Sequence, residues 1–185
     1  ATIIGGMLFG LSRQVATDIL IIEDIAQDAE LIERELCDSG VSYRSRRVET
    51  REAFLAALDE ARPDVILSDF TLPEFDALQA IHALRELELD VPFILVTGTR
   101  SEEVAVECIR EGADDYILKA SLKRLPTSIA NALRRKAIEN ARHHAEVALR
   151  RSEEQYRLIA THTQDLICIL EPGGPLVYVS PSHRN

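Results

Sequence analysis

The sequence contains no tryptophan, only four tyrosines and five phenylalanines, and a single methionine. A core built from it has to be aliphatic, from leucine, isoleucine, valine and alanine, and the ordinary 46% hydrophobic share is enough to bury one. Cysteine is scarce too: Cys37, Cys108 and Cys168 are odd in number and far apart. No pair has metal-ligand spacing, so reduced, buried thiols of a cytoplasmic protein are expected rather than a disulfide framework or a zinc site. Long apolar runs are missing. The longest near the start, Ile3 to Leu11, is broken by Gly5, Gly6 and Gly10; it is too short to span a bilayer and lacks the basic flank of a secretory signal. Residues 1–17 read as a leader, foreign or disordered in part, and no membrane partner is expected for this chain.

Positive charge is in deficit. The formal charge of −10 argues against nucleic acid as a partner of the whole chain. The balance turns basic only from Lys119 to Arg157, with Arg134-Arg135-Lys136 and Arg150-Arg151, and such a run reads as a solvated helix face.

What is present is a regular alternation. Asp18 to Glu23 is a continuous apolar run ending in acid, as expected of a strand buried on both faces. Asp28 to Ser39 has helical spacing and Gly40 as its stop. Val41 to Val48, mixed and basic, reads as an edge strand, and Thr50 as the cap of a second helix. Val65 to Leu67 is a short strand that runs into Asp69; Asp76 to Leu87 is a third helix. Val91 to Val96 is a fourth strand ending at Thr97. Ser101 caps a fourth helix that stops at Gly112, and Asp115 to Leu118 is a fifth strand ending at Lys119. Strand and helix in strict alternation specify parallel βαβ units, with helices on both faces of one sheet.

From Leu125 to Leu158 the sequence reads as one long helix. Ile138, Ala141, Ala145, Ala148 and Ser152 recur at alternating spacings of three and four, close to a heptad. A helix of this length is poorly stable alone, so pairing with a second copy of the chain is expected. Beyond it, Asp165 to Leu170 and Leu176 to Val179 flank Gly173-Gly174 and read as two strands joined by a turn. A lone hairpin is not independently stable, so the expectation is a second domain in which the chain stops.

The chemistry gathers at strand ends. In an open parallel sheet the carboxyl ends of the strands share one crevice, which collects Glu23-Asp24, Asp69, Thr97 and Lys119. Three crowded carboxylates resist joint ionisation unless a cation sits among them, and an all-oxygen set suits magnesium. Such a crevice fits a phosphoryl group. Asp69 would be the nucleophile forming an acyl phosphate, and Lys119 and the metal would neutralise the transferring oxygens.

These residues carry a resemblance. Glu23-Asp24, Asp69 with Leu72-Pro73, Asp76, Thr97-Gly98, and Gly112-Ala113-Asp114-Asp115-Tyr116 with Lys119 resemble the receiver domain of two-component response regulators over residues 18–126. The resemblance implies a flavodoxin-like, doubly wound, five-stranded parallel sheet. It also implies phosphotransfer to Asp69 from a histidine kinase or phosphotransfer protein, and magnesium held by Glu23, Asp24, Asp69 and the backbone carbonyl of Thr71. Lys119 would bind the phosphoryl group, and Thr97 and Tyr116 would be the switch residues. The domain would not be an enzyme beyond its own phosphorylation and dephosphorylation. Ala77 stands where the family usually has glycine, Phe75 where methionine is frequent, and Ala120 where proline follows the lysine; a Lys-Ala peptide is expected to be trans.

The tail, from Ser152 to Ile159 and from Asp165 to Ser182, resembles the opening of a PAS sensor domain. This gives residues 127–160 as a linker signalling helix, able to form a homodimer, and 161–185 as a partial PAS β-hairpin. His143-His144 lack the His-Glu-x-x-x-Pro run of a phospho-accepting kinase helix and read as surface residues. Two other readings are a phosphorylation-independent interaction module that keeps the receiver fold, and a phosphatase-like hydrolase. The latter lacks a second acid for the leaving group.

Overall fold

The computed structural model describes residues 16–70, 72–73, 75–98, 102–162, 168–170, 174 and 176–179. Five strands form one parallel sheet: β1 (Thr17–Ile22), β2 (Tyr43–Val48), β3 (Val65–Ser68), β4 (Phe93–Thr97) and β5 (Asp115–Leu118). Their order across the sheet is β2-β1-β3-β4-β5. The chain thus moves outward from β1 to β2, then returns to the other side of β1 for β3. That reversal opens a crevice beyond the ends of β1 and β3, where such sheets bind ligands. The basic strand β2 lies at the edge, the position a run carrying Arg44, Arg46 and Arg47 can occupy without burying charge.

Alternation along β1 sends its side chains to two separate cores. Leu20 and Ile22 face one core with Phe54, Ile66, Phe93 and Leu95; Ile19 and Ile21 face the other with Ile32, Leu67, Val96 and Ile117. On the first face lie α2 (Arg51–Glu60), α3 (Ala77–Glu86) and Cys108 of α4 (Glu102–Arg110). On the second lie α1 (Ala26–Asp38) and the start of α5 (Leu125–His162), through Leu125, Ile129 and Ala132. The sheet is therefore doubly wound, and its core is aliphatic except for Phe54, Phe75 and Phe93.

Local rules account for most of the boundaries. Thr50 caps α2, its hydroxyl accepting from the Ala53 amide at 3.2 Å. Asp76 and Gln79 close a capping box at the start of α3. Gly40 and Gly112 take φ of +74° and +109° just past α1 and α4, a backbone region that costs glycine little. Other boundaries differ from the sequence reading. Strand β1 starts at Thr17 because the Thr17 amide donates to the Ser42 carbonyl at 2.9 Å. Helix α1 starts at Ala26, ahead of Asp28, because its N-cap is Ile25, which offers no capping side chain. Strand β4 starts at Phe93: Pro92 has no amide to donate and contributes only its carbonyl, to Ile66. Helix α5 continues past Leu158 to His162, and Pro126 sits in its first turn, where a missing amide is harmless.

The chain divides into two compact units, Ala1–Lys136 and Ala137–Asn185. In the second, Ile138, Val147, Leu149, Tyr156 and Leu158 are exposed on α5, as are His143 and His144. Strands β6 (Cys168–Leu170) and β7 (Leu176–Val179) pair antiparallel. Residues 1–15 of the expected leader, the expected Ser101 cap, Thr71, and positions 163–167 and 180–185 of the tail lie outside the described residues. Among the described residues, no helix is long and apolar enough to cross a membrane.

Burial leaves Cys108 fully covered and pushes its thiol up to about 11, with Glu107 and Asp76 adding smaller contributions in the same direction. A thiol whose folded value exceeds its unfolded value ionises first in the unfolded chain. Its stabilising contribution is complete below the unfolded value and is lost as pH rises through the folded one. The expected result is a fall in urea midpoint from about pH 9 to about pH 11 that is shallower in Cys108→Ala. Alkylation with mass mapping should label the exposed Cys37 in the native protein and Cys108 only in urea.

Candidate functional site

Two backbone hydrogen bonds build the crevice. The Glu23 amide donates to the Val48 carbonyl at 3.1 Å, and the Asp69 amide to the Ile22 carbonyl at 2.9 Å. The residues that follow β1 and β3 are thereby set side by side at the point where strand order reverses. From the other side, Thr97 pairs with Leu118 across β4 and β5, so the next residue, Lys119, enters at the same edge, its stem beside Gly98.

The Lys119 ammonium is the centre of the site. Its Nζ donates to Asp28 Oδ2 at 2.5 Å, to Glu23 Oε2 at 2.7 Å and to Asp69 Oδ2 at 2.8 Å. An ammonium has three donors, and all three are used. Burial works against its charge, but the hydrogen bonds to Asp28, Asp69 and Glu23 more than reverse this and hold it above the usual lysine range. Glu23 is 1% exposed, and its burial pushes its carboxyl up against the opposing pull of Lys119 and of the Ile25 amide, which donates to Oε1 at 3.1 Å. Asp69 presents its second oxygen, Oδ1, to the Phe70 amide at 2.6 Å.

Carboxylate oxygens of Glu23, Asp28 and Asp69 all lie within 4.8 Å of one another. Three carboxylates against one ammonium leave two negative charges in excess, on hard oxygen donors. That set fits a divalent cation such as magnesium. The residues expected at the site are thus brought together in part. Glu23, Asp69 and Lys119 are in direct contact, and Thr97 is buried at the end of the neighbouring strand. Asp24 is half-buried beside them but is not one of the three carboxylates that converge. Tyr116 is exposed on β5. The Thr71 carbonyl lies outside the described residues. All described peptides are trans, including Lys119-Ala120.

Two residues were not singled out from sequence. Asp28 reaches the site from the first turn of α1, a position that by itself signals only a helix start. Arg47, on the edge strand, donates to the carbonyls of Glu23 at 3.0 Å and Asp24 at 3.3 Å, bracing the acidic turn while pairing with Glu49. Position −1 to a strand end beside an acidic turn is the only clue to it.

The family model of the response regulator receiver domain matches residues 19–130. The chain belongs to the response regulator receiver domain family. The receiver domain here is 34% identical over 125 residues to the methanogenesis regulatory protein FilR1 of Methanothrix harundinacea, a match covering 65% of this chain and 28% of that protein. It is 32% identical over 116 residues to the luminescence regulatory protein LuxO of Vibrio campbellii, covering 62% and 25%. The chain thus spans about a quarter of the length of these relatives. Among solved structures, the signal receiver domain of a signal transduction histidine kinase from Syntrophus aciditrophicus superposes with a TM-score of 0.56 at 30% identity, over 64% of this chain and 90% of that one. The five-stranded parallel sheet with helices on both faces is what the alternation of elements predicts, and its receiver fold is the flavodoxin-like one that the resemblance implies.

Proposed function

We propose that residues 18–126 are an active phosphoacceptor that takes a phosphoryl group on Asp69 from a histidine kinase or phosphotransfer protein. The observation that carries this reading is the Lys119 ammonium 2.8 Å from Asp69 Oδ2, inside a carboxylate crevice at the switch point of the sheet. An oxygen of Asp69 attacks phosphorus, and a P–O bond forms as the P–N bond of a phosphohistidine donor breaks. The electron pair leaves with the imidazole, which takes a proton from water. Lys119, fixed in its charged form, places positive charge beside the oxygens of the transferring group. Glu23, Asp24, Asp69 and the backbone carbonyl of Thr71 are the groups that would hold magnesium; when bound, it would supply further positive charge to those oxygens. Water attack on the acyl phosphate returns the carboxylate and inorganic phosphate, so the domain turns over only its own modification.

The signal would leave through the β5 side of the sheet. Ser128 on α5 donates to Asp115 Oδ2 on β5 at 2.6 Å, which ties the helix to the strand that ends at Lys119. Thr97 and Tyr116 would move with the phosphoryl group, and the exposed apolar stripe of α5 would pair with a second copy. Residues 127–160 are then a linker signalling helix and the β6–β7 pair the start of a PAS domain, in a cytoplasmic, multidomain signalling protein.

Intact-mass analysis after incubation with a small acyl-phosphate donor tests the reading. One magnesium-dependent phosphoryl adduct is expected in the wild type and none in Asp69→Ala. An adduct that survives in Asp69→Ala would sink the assignment. No adduct from that donor or from histidine kinases would leave the fold as a binding-only module.

A further inference from the structure

Of the three carboxylates that share the Lys119 ammonium, two have other work in the proposed phosphoacceptor reaction: Asp69 takes the phosphoryl group, and Glu23 belongs to the cation set. Asp28 has none. It is also the closest of the three to Nζ, at 2.5 Å against 2.7 Å and 2.8 Å. It comes from a different element, the first turn of α1, whereas Glu23 and Asp69 both follow strands. A single position of Nζ satisfies Asp28 and Asp69 together, so a lysine held by Asp28 is already within reach of Asp69.

We infer that Asp28 is a positioning residue for Lys119, the partner that keeps the ammonium aimed at Asp69 while Glu23 and Asp69 change partners during phosphorylation. A lysine stem has four rotatable bonds and substantial rotamer entropy, so an ammonium without a fixed partner spends its time spread over several positions. The 3-10 turn Lys119–Arg124 that begins at this residue contains Ser121 with non-helical φ and ψ of −130° and 32°, so no regular helix fixes the backbone behind it. A charge-assisted hydrogen bond from α1 supplies the missing restraint.

This inference rests on the phosphoacceptor reading, and the experiment separates the two. In the full chain, 15N-lysine spectra of the unphosphorylated protein should show a slowly exchanging Lys119 ammonium, with and without magnesium. In Asp28→Asn that signal should be lost to exchange once magnesium is added. Phosphorylation by the acyl-phosphate donor should be about tenfold slower in Asp28→Asn, and the loss should vanish when Lys119→Met is the background. An unchanged ammonium signal in Asp28→Asn overturns the inference whether or not the protein is phosphorylated. So does a rate loss that persists in Lys119→Met together with weaker calorimetric magnesium binding, which would make Asp28 a metal ligand instead. Failure of the phosphoacceptor reading appears separately, as a wild type without an Asp69 adduct.

Discussion

Replacing Lys119 with alanine should destabilise the receiver domain by about 3–5 kcal/mol in excess chelator, the range for stripping the counter-charge from a buried pair. The ammonium is the shared partner of Glu23, Asp28 and Asp69, with its side chain 16% exposed and that of Glu23 1% exposed. Without it, three carboxylates face one another with no cation between them, and Glu23 has no access to water that would let it relax. Its response to magnesium distinguishes it from ordinary loss of packing. Excess magnesium should return much of the lost stability, because a divalent ion supplies the charge that the lysine removed. The carboxylate variant Asp69→Asn, made on the Lys119→Ala background, should also recover stability, since it removes one of the repelling charges. Urea denaturation of the three proteins with and without magnesium is sufficient. A Lys119→Ala variant as stable as wild type in chelator would mean that the cluster relaxes into solvent and that the ammonium is not its keystone.

How far the site was legible in the sequence follows from how it is built. Glu23, Asp69, Thr97 and Lys119 end strands that announce themselves as apolar runs, and a parallel sheet gathers its strand ends at one edge. The convergence of these four is therefore a property of topology, which alternation of strand and helix reveals. Asp28 and Arg47 obey no such rule. Asp28 reaches Lys119 across 91 positions of sequence through the packing angle of α1, and Arg47 turns from an edge strand onto two backbone carbonyls. Neither contact is implied by spacing, and each residue has a sufficient local explanation that conceals the other role. The boundary shifts have the same character. Ile25 opens α1 without a capping side chain, so a reading that looks for caps starts the helix late.

The pair of Phe54 on α2 and Phe75 ahead of α3 carries the second large effect. Phe54 of α2 is fully buried, and its ring lies 5.3 Å from that of Phe75, tilted by 42°. The pair shares its core with Phe93 and with aliphatic side chains of α2, α3 and the sheet. Phe54→Ala should cost about 3–5 kcal/mol, the lost transfer energy plus the cavity left by a ring whose neighbours cannot fully close on it. A loss of this size is a large share of the roughly 5–15 kcal/mol by which such domains are stable. Phe54→Leu, which keeps most of the volume, should cost less than half as much. The effect reaches the site because Phe75 stands just before the Asp76 cap of α3, so a cavity at Phe54 frees the chain that follows Asp69. The wild-type hydrogen-exchange protection of the α3 amides should therefore fall more in Phe54→Ala than that of α5, beyond what global destabilisation predicts. A urea midpoint shift worth less than about 1 kcal/mol, or protection lost equally in both helices, would show that the ring pair fills space without anchoring the Asp69 turn.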